Sequence, residues 1–180
     1  MEFKEVLEKR YSCRDFSDRA VDIEIIKEII RETQLSPSAM NMQPWHFIAV
    51  HSGEALVKAR ECFGGLSFNK FVKDAPVLTV IIKEKNLKLK TAELITGREF
   101  GEIDVGIAAA VYCMSAADKG LSTCILGAFK ANKIKEALNI PKNKDVALII
   151  ATGYAAAEGE KRKSGRKEFE KVFSENFFRE

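Results

Sequence analysis

The chain has 180 residues, 46% of them hydrophobic, and its 29 basic and 26 acidic side chains leave a net charge of +3. That apolar share at that length supports one compact domain over residues 1–180 and excludes a disordered chain, while so balanced a charge gives no basis for a nucleic-acid or membrane partner. Cys13, Cys62, Cys113 and Cys124 have no CxxC spacing and no histidine at motif distance, so neither a metal site nor a disulfide framework is expected, and a soluble protein of a reducing cytoplasm fits.

Helical spacing opens the chain in Phe3, Val6 and Leu7 and returns in Ile23, Ile26, Ile29 and Ile30, with Asp22 as a cap for the second helix. Between Leu35 and Pro44 the composition turns polar, and Pro37, Ser38, Asn41 and Pro44 predict an ordered loop. A strand follows over His46 to His51, then a helix over Glu54 to Cys62. The apolar run Val77 to Ile82 predicts a central strand buried on both faces.

Residues 84–101 show no firm period, and a mobile helix or flap is the reading. Val105 to Ala117 is apolar nearly all round, which predicts a buried helix ending at a left-handed Gly120. It is shorter than the roughly 20 residues a membrane span needs. Ser122 to Leu126 and Val146 to Thr152 complete the strands, with a short helix over Lys133 to Asn139 between them. From Glu158 the tail is basic, with five cations in Lys161 to Lys167, and then apolar, with Phe169, Val172, Phe173, Phe177 and Phe178. Those side chains are expected to dock on the body or on a second subunit.

Three polar segments could carry chemistry. If Arg10 to Phe16 is extended, Arg10, Ser12 and Arg14 line one side across roughly 13 Å, as an anionic ligand needs. The alternative is a helix end whose arginines satisfy its last carbonyls. Ser36 to Trp45 is either a ligand loop or a tight turn bonded to its own backbone. Leu121 to Gly127 reads as a buried strand closed by a glycine that lets a ligand approach the backbone.

In this order and at these separations, the Arg-x-Ser-x-Arg opening, the Pro-Ser-x-x-Asn-x-Gln-Pro-Trp loop and the Gly-Leu-x-x-Cys-x-x-Gly strand resemble the nitroreductase family of flavin enzymes. The resemblance runs from about Glu5 to Phe173. It implies an α+β fold with a central, mostly antiparallel sheet flanked by helices, a homodimer with exchanged tails, and two FMN molecules at the subunit interface. Arg10 and Ser12 would then bind the FMN phosphate, Tyr11 between them would also belong to the cofactor site, and Arg14 would reach the N1 and O2 side of the flavin ring. From the partner, Pro37, Ser38 and Ala39 would pack on the flavin, with Asn41 and Gln43 fixing the loop or touching the ribityl and ring edges; Met40 would line the pocket above the ring, and Met42 would line it or fill the core. Asn69 matches a position that bonds the pyrimidine edge. Ile125, Leu126 and Gly127 would face N5, and Arg166, helped by Lys163 or Lys167, would approach the phosphate.

The implied activity is ping-pong transfer from NADH or NADPH through FMN to a nitroaromatic, quinone or free flavin, with no catalytic side chain. No GxGxxG turn is present, so both substrates would share one slot. Other readings are a same-fold enone reductase, dehalogenase or flavin-fragmenting enzyme, a flavin store or redox sensor, and an anion-binding module outside flavins. Two departures stand out: Tyr11 replaces a common basic residue, and Ala155 a common proline. Cys13, between two arginines, is a candidate reactive thiol. His46, His51, Asp15, Glu102 and Asp104 are assigned to surface or capping roles.

Overall fold

From Val77 to Ile82 only Thr79 is polar, and the computed structural model, which describes residues 1–64, 67–157 and 165–178, buries all six side chains at the centre of the molecule. This strand, β2 (Val77–Lys83), lies between β1 (Trp45–Val50) and β4 (Asp145–Gly153), and β3 (Ser122–Leu126) pairs with the far side of β4. All three pairings are antiparallel, so the sheet reads β1-β2-β4-β3.

Alternate side chains of β2 serve two cores, as the period of a strand requires. Leu78, Val80 and Ile82 join Ile149 and Ala151 on one face, under Leu56 and Ala59 of α3 (Gly53–Glu61) and Ile134 of α6 (Ala131–Ala137). Val77 and Ile81 join Ile150 on the other, against Ile26 and Ile29 of α2 (Ile23–Thr33) and Val105, Ala108 and Tyr112 of α5 (Phe100–Asp118). The α+β fold with a helix-flanked antiparallel sheet is the one expected. A buried polar contact pins its second face: Tyr112 OH lies 2.8 Å from Thr79 Oγ1 and 3.2 Å from Thr152 Oγ1.

Most element ends follow local chemistry. Asp22 Oδ1 accepts the Glu24 N–H at 2.9 Å and starts α2. At the end of α5, Gly120 takes φ +76, and the N–H groups of Gly120 and Leu121 reach the carbonyls of Ala117 and Ala116, the paired bonds of a left-handed helix stop. Among the described residues α5 alone is long and apolar enough to cross a membrane; here it is a core helix. It begins at Phe100, earlier than the apolar run suggests, because its first turns are half polar.

The unreadable stretch forms α4 (Leu87–Thr96), capped by Asn86 Oδ1 on the N–H groups of Lys88 and Leu89 and stopped by Gly97 at φ +68. Only Leu89 is buried, whereas Leu87, Leu94 and Ile95 are 79–85% exposed, so no apolar stripe marks the helix in sequence. α1 (Phe3–Lys9) packs beside α5. In the tail, Phe169, Val172, Phe173, Phe177 and Phe178 remain 53–85% exposed, with the Phe169 and Phe173 rings stacked at 4.9 Å. Docking on the chain's own body is therefore not what they do: one short turn, Phe169–Lys171, presents too little face for it. The cations Lys161, Arg162 and Lys163 lie outside the described residues.

Candidate functional site

Arg10 leaves α1 with extended backbone (φ −67, ψ 121), and its N–H already closes the helix on the Val6 carbonyl. The arginine side chains are thus not needed to cap it. Ser12 forms a parallel bridge with Thr123 of β3, and Phe16 an antiparallel one with Ala155 beyond β4. Ser12 and Arg14 face outward on either side of the buried Cys13, as expected for an extended run; the alternation breaks at Asp15, which is exposed, and Phe16, which is buried.

Tyr11, Ser12, Cys13, Arg14 and Asp15 line one side of a cavity of about 320 Å³, closed by Ala155 and Ala157. Among the described residues neither Arg10 nor Arg14 has a salt bridge or side-chain hydrogen bond. Two unpaired guanidiniums on a row with a hydroxyl can take a phosphate through charge-assisted bonds. Burial raises the Tyr11 phenol, which stays neutral and able to donate. Cys13 is 1% exposed and gives its Sγ–H to the Asp15 carbonyl at 3.1 Å, so a reactive thiol is not what stands there. Burial likewise raises the Cys124 thiol behind Arg14.

β3 runs from this neighbourhood, where Ser12 bridges Thr123 near its start, to Leu126 at its other end. Leu126 is buried and Ile125 is 43% exposed on the sheet edge. A Cβ placed on Gly127 would meet open space, so a planar group can approach this backbone. Asn69 is buried, and its Nδ2 donates to the Ala128 carbonyl at 2.9 Å, bracing the chain just past Gly127.

The Pro37–Pro44 loop is unusual. Met40, Asn41 and Gln43 take φ of 52, 54 and 46, left-handed values that cost non-glycine residues about 1–3 kcal/mol each. Ser38 Oγ accepts the Gln43 N–H at 3.0 Å, and Gln43 Nε2 donates to Asn41 Oδ1 at 3.2 Å. The Ala39 N–H donates to both carboxylate oxygens of Asp104 at 3.1 Å. Pro37, Met40, Asn41 and Gln43 stay exposed, and Met42 is half-buried.

The loop and the arginine row occupy opposite ends of the sheet. Pro44 bonds Glu84 beyond the end of β2, where β4 begins, whereas Ser12 and Phe16 sit at the start of β3 and past the end of β4. Along α5, Asp104 holds the loop while Arg10 acts on the Cys113 thiol, points about 13 Å apart at 1.5 Å per residue. One chain therefore joins the first and third segments but not the second. Arg166 is exposed in the tail, and His46 and His51 are surface residues, as expected.

Asp104 contradicts its surface assignment: it is 3% exposed, and burial pushes its carboxyl above the ordinary range. Its signal was a carboxylate opening an apolar helix. Ala157 in the cavity wall carried no signal. Among the described residues no cluster of His, Cys, Asp and Glu could hold a metal ion.

The family model described as "Nitroreductase family" matches residues 7–66 and 63–154. The chain is 26% identical to the "Iodotyrosine dehalogenase 1 homolog" of Caenorhabditis elegans over 87% of its own length, spanning only 55% of that relative. It is 26% identical to the "Oxygen-insensitive NADPH nitroreductase" of Helicobacter acinonychis, covering 88% of this chain and 90% of the relative. A solved "FMN-dependent Nitroreductase" from Clostridium difficile R20291 superposes with TM-score 0.75 at 28% identity, covering 96% of this chain and 98% of the other.

Proposed function

The chain belongs to the nitroreductase family of oxidoreductases, and from that premise we propose that it is an FMN-dependent NAD(P)H oxidoreductase working as a homodimer. One observation carries the cofactor reading: Ser12 and the unpaired Arg14 line a cavity beside the edge of β3, and the unpaired Arg10 stands two residues before Ser12. The fit extends to the β3 end, where the open face of Gly127 leaves room for a flat ring.

In this reading Arg10 and Ser12 hold the phosphate, with the Tyr11 hydroxyl as a further donor. Arg14 places a fixed cation at the N1 and O2 side of the ring and so favours negative charge there. The backbone of Leu126 and Gly127, braced by Asn69, faces the N5 side. Arg166 and Lys167 add positive charge near the phosphate. When bound, FMN supplies the two-electron chemistry, taking hydride from NADH or NADPH and passing electrons to a nitroaromatic, quinone, halogenated aromatic or free flavin.

Distance supports the dimer. The Pro37–Gln43 loop lies at the far end of the sheet from Arg10, so it can reach a flavin only in a second copy, and the exposed phenylalanines of the tail give that copy a surface to cover. Four free, buried cysteines support a reducing compartment such as the cytoplasm.

The purified protein should be yellow, or turn so with added FMN; a colourless preparation that ignores FMN sinks the reading. Under anaerobic conditions NADH or NADPH should bleach the flavin within seconds and a quinone or nitro compound should restore it. Bleaching that takes hours would leave a flavin store instead.

A further inference from the structure

We propose that Asp104 is a positioning residue for the flavin site: its buried carboxylate, by gripping the Ala39 N–H, holds the strained Ser38–Gln43 loop in the shape that packs on FMN bound to the second copy. The inference rests on the FMN reading given above.

The loop holds a strained shape. Three of its residues are left-handed without being glycine, and only Asn41 is of a type that tolerates this readily. Its internal bonds run from the Gln43 N–H to Ser38 Oγ, from Gln43 Nε2 to Asn41 Oδ1, and from the Asn41 and Met42 N–H groups to the Ser38 and Ala39 carbonyls. These bonds use the carbonyls of Ser38 and Ala39; the Ala39 N–H, in the half where Pro37, Ser38 and Ala39 would meet the flavin, is taken by Asp104 from 65 residues away. Both carboxylate oxygens accept one N–H at equal distance, which fixes Ala39 against a rigid core helix rather than against another loop.

The carboxylate is an odd choice for stability. It is 3% exposed, no cation pairs with it among the described residues, and the nearest charged side chain acting on it is the like-charged Glu93 of α4. A buried charge held by one N–H costs the fold more than it returns. Such a group persists where it shapes a site, and the left-handed residues beside it are strain of the same kind.

The test uses full-length Asp104→Ala and Asp104→Asn. FMN affinity is read by flavin fluorescence quenching, and the thermal midpoint is measured on the apoprotein. Losing a charge-assisted bond predicts a rise of about tenfold or more in the FMN Kd for Asp104→Ala, with an apoprotein midpoint equal to or above wild type. Asp104→Asn, which keeps one acceptor oxygen, should fall between the two. If Asp104→Ala fails to fold, the Asn variant decides by the same two readings. Wild-type affinity in the variants overturns the inference, as does an affinity loss that merely tracks a lowered midpoint. A wild-type chain that takes up no FMN overturns the cofactor reading itself, and this inference with it.

Discussion

The backbone N–H of Cys13 donates to the Thr123 carbonyl at 2.9 Å, and this bond decides which way the arginines face. It stitches the N-terminal segment to the edge of β3 with the Cys13 side chain turned into the core, so Ser12 and Arg14 must turn outward. Arg10 begins the same extended run as α1 ends. A helical continuation would have scattered these groups around an axis.

From that placement the two arginines have different expected losses. Removing a charge-assisted bond costs about 1.5–3 kcal/mol, so Arg10→Ala should raise the FMN Kd by about ten- to a hundredfold. Arg14→Ala should lower the reduction potential of the bound flavin more than it weakens binding. A redox titration against dyes checks this; equal potentials in the variant and wild type would refute the role given to Arg14.

Gly153 is fixed by packing. A Cβ there would lie 2.5 Å from Cδ and 2.7 Å from Cγ of Pro76 and 3.0 Å from Phe16. A pyrrolidine ring cannot swing aside, so Gly153→Ala should destabilise the protein by about 1–3 kcal/mol. Urea unfolding measures it, and Pro76→Ala in the same chain should recover part of the loss.

The sheet was legible because its strands are nearly pure apolar runs: Val77 to Ile82 and Val146 to Thr152 leave little choice of structure. α4 was not, since a helix with only Leu89 buried has no stripe to read. The arginine row could be located in sequence, but its alternative as a helix cap fell only when Arg10 proved extended. The left-handed turn at Met40 and Gln43 had no signal, for neither residue type favours positive φ. Asp104 was misread because a carboxylate at a helix start is usually wet, and the partner that buries it comes from a loop 65 residues earlier.

Tyr112 gives an alkaline test. Burial pushes its phenol up to about 12, against 10.0 for the free side chain, despite contacts with Thr152 and Thr79. Between those values the folded chain keeps a proton that the unfolded chain releases, so stability should fall as pH rises through that window. Tyr112→Phe should cost about 1–2 kcal/mol at neutral pH, leaving both threonine hydroxyls unpaired, and should make the alkaline decline shallower. Urea midpoints from about pH 8 to about pH 11 decide it; parallel curves for the two proteins would contradict the raised phenol.

The tail predicts where dimer stability resides. Phe173 and Phe177 are 53% and 80% exposed on the single chain, and burying such a side chain is worth about 1.5–3 kcal/mol. If a second copy covers them, Phe173→Ser with Phe177→Ser should weaken the dimer by about a hundredfold or more. Sedimentation at micromolar concentration should then show monomers. FMN affinity should fall with it, because each site needs the loop of the other chain, whereas the fold of the monomer should survive, since these rings contribute little to its own core. A double variant that remains a dimer with unchanged flavin binding would place the interface elsewhere on the molecule.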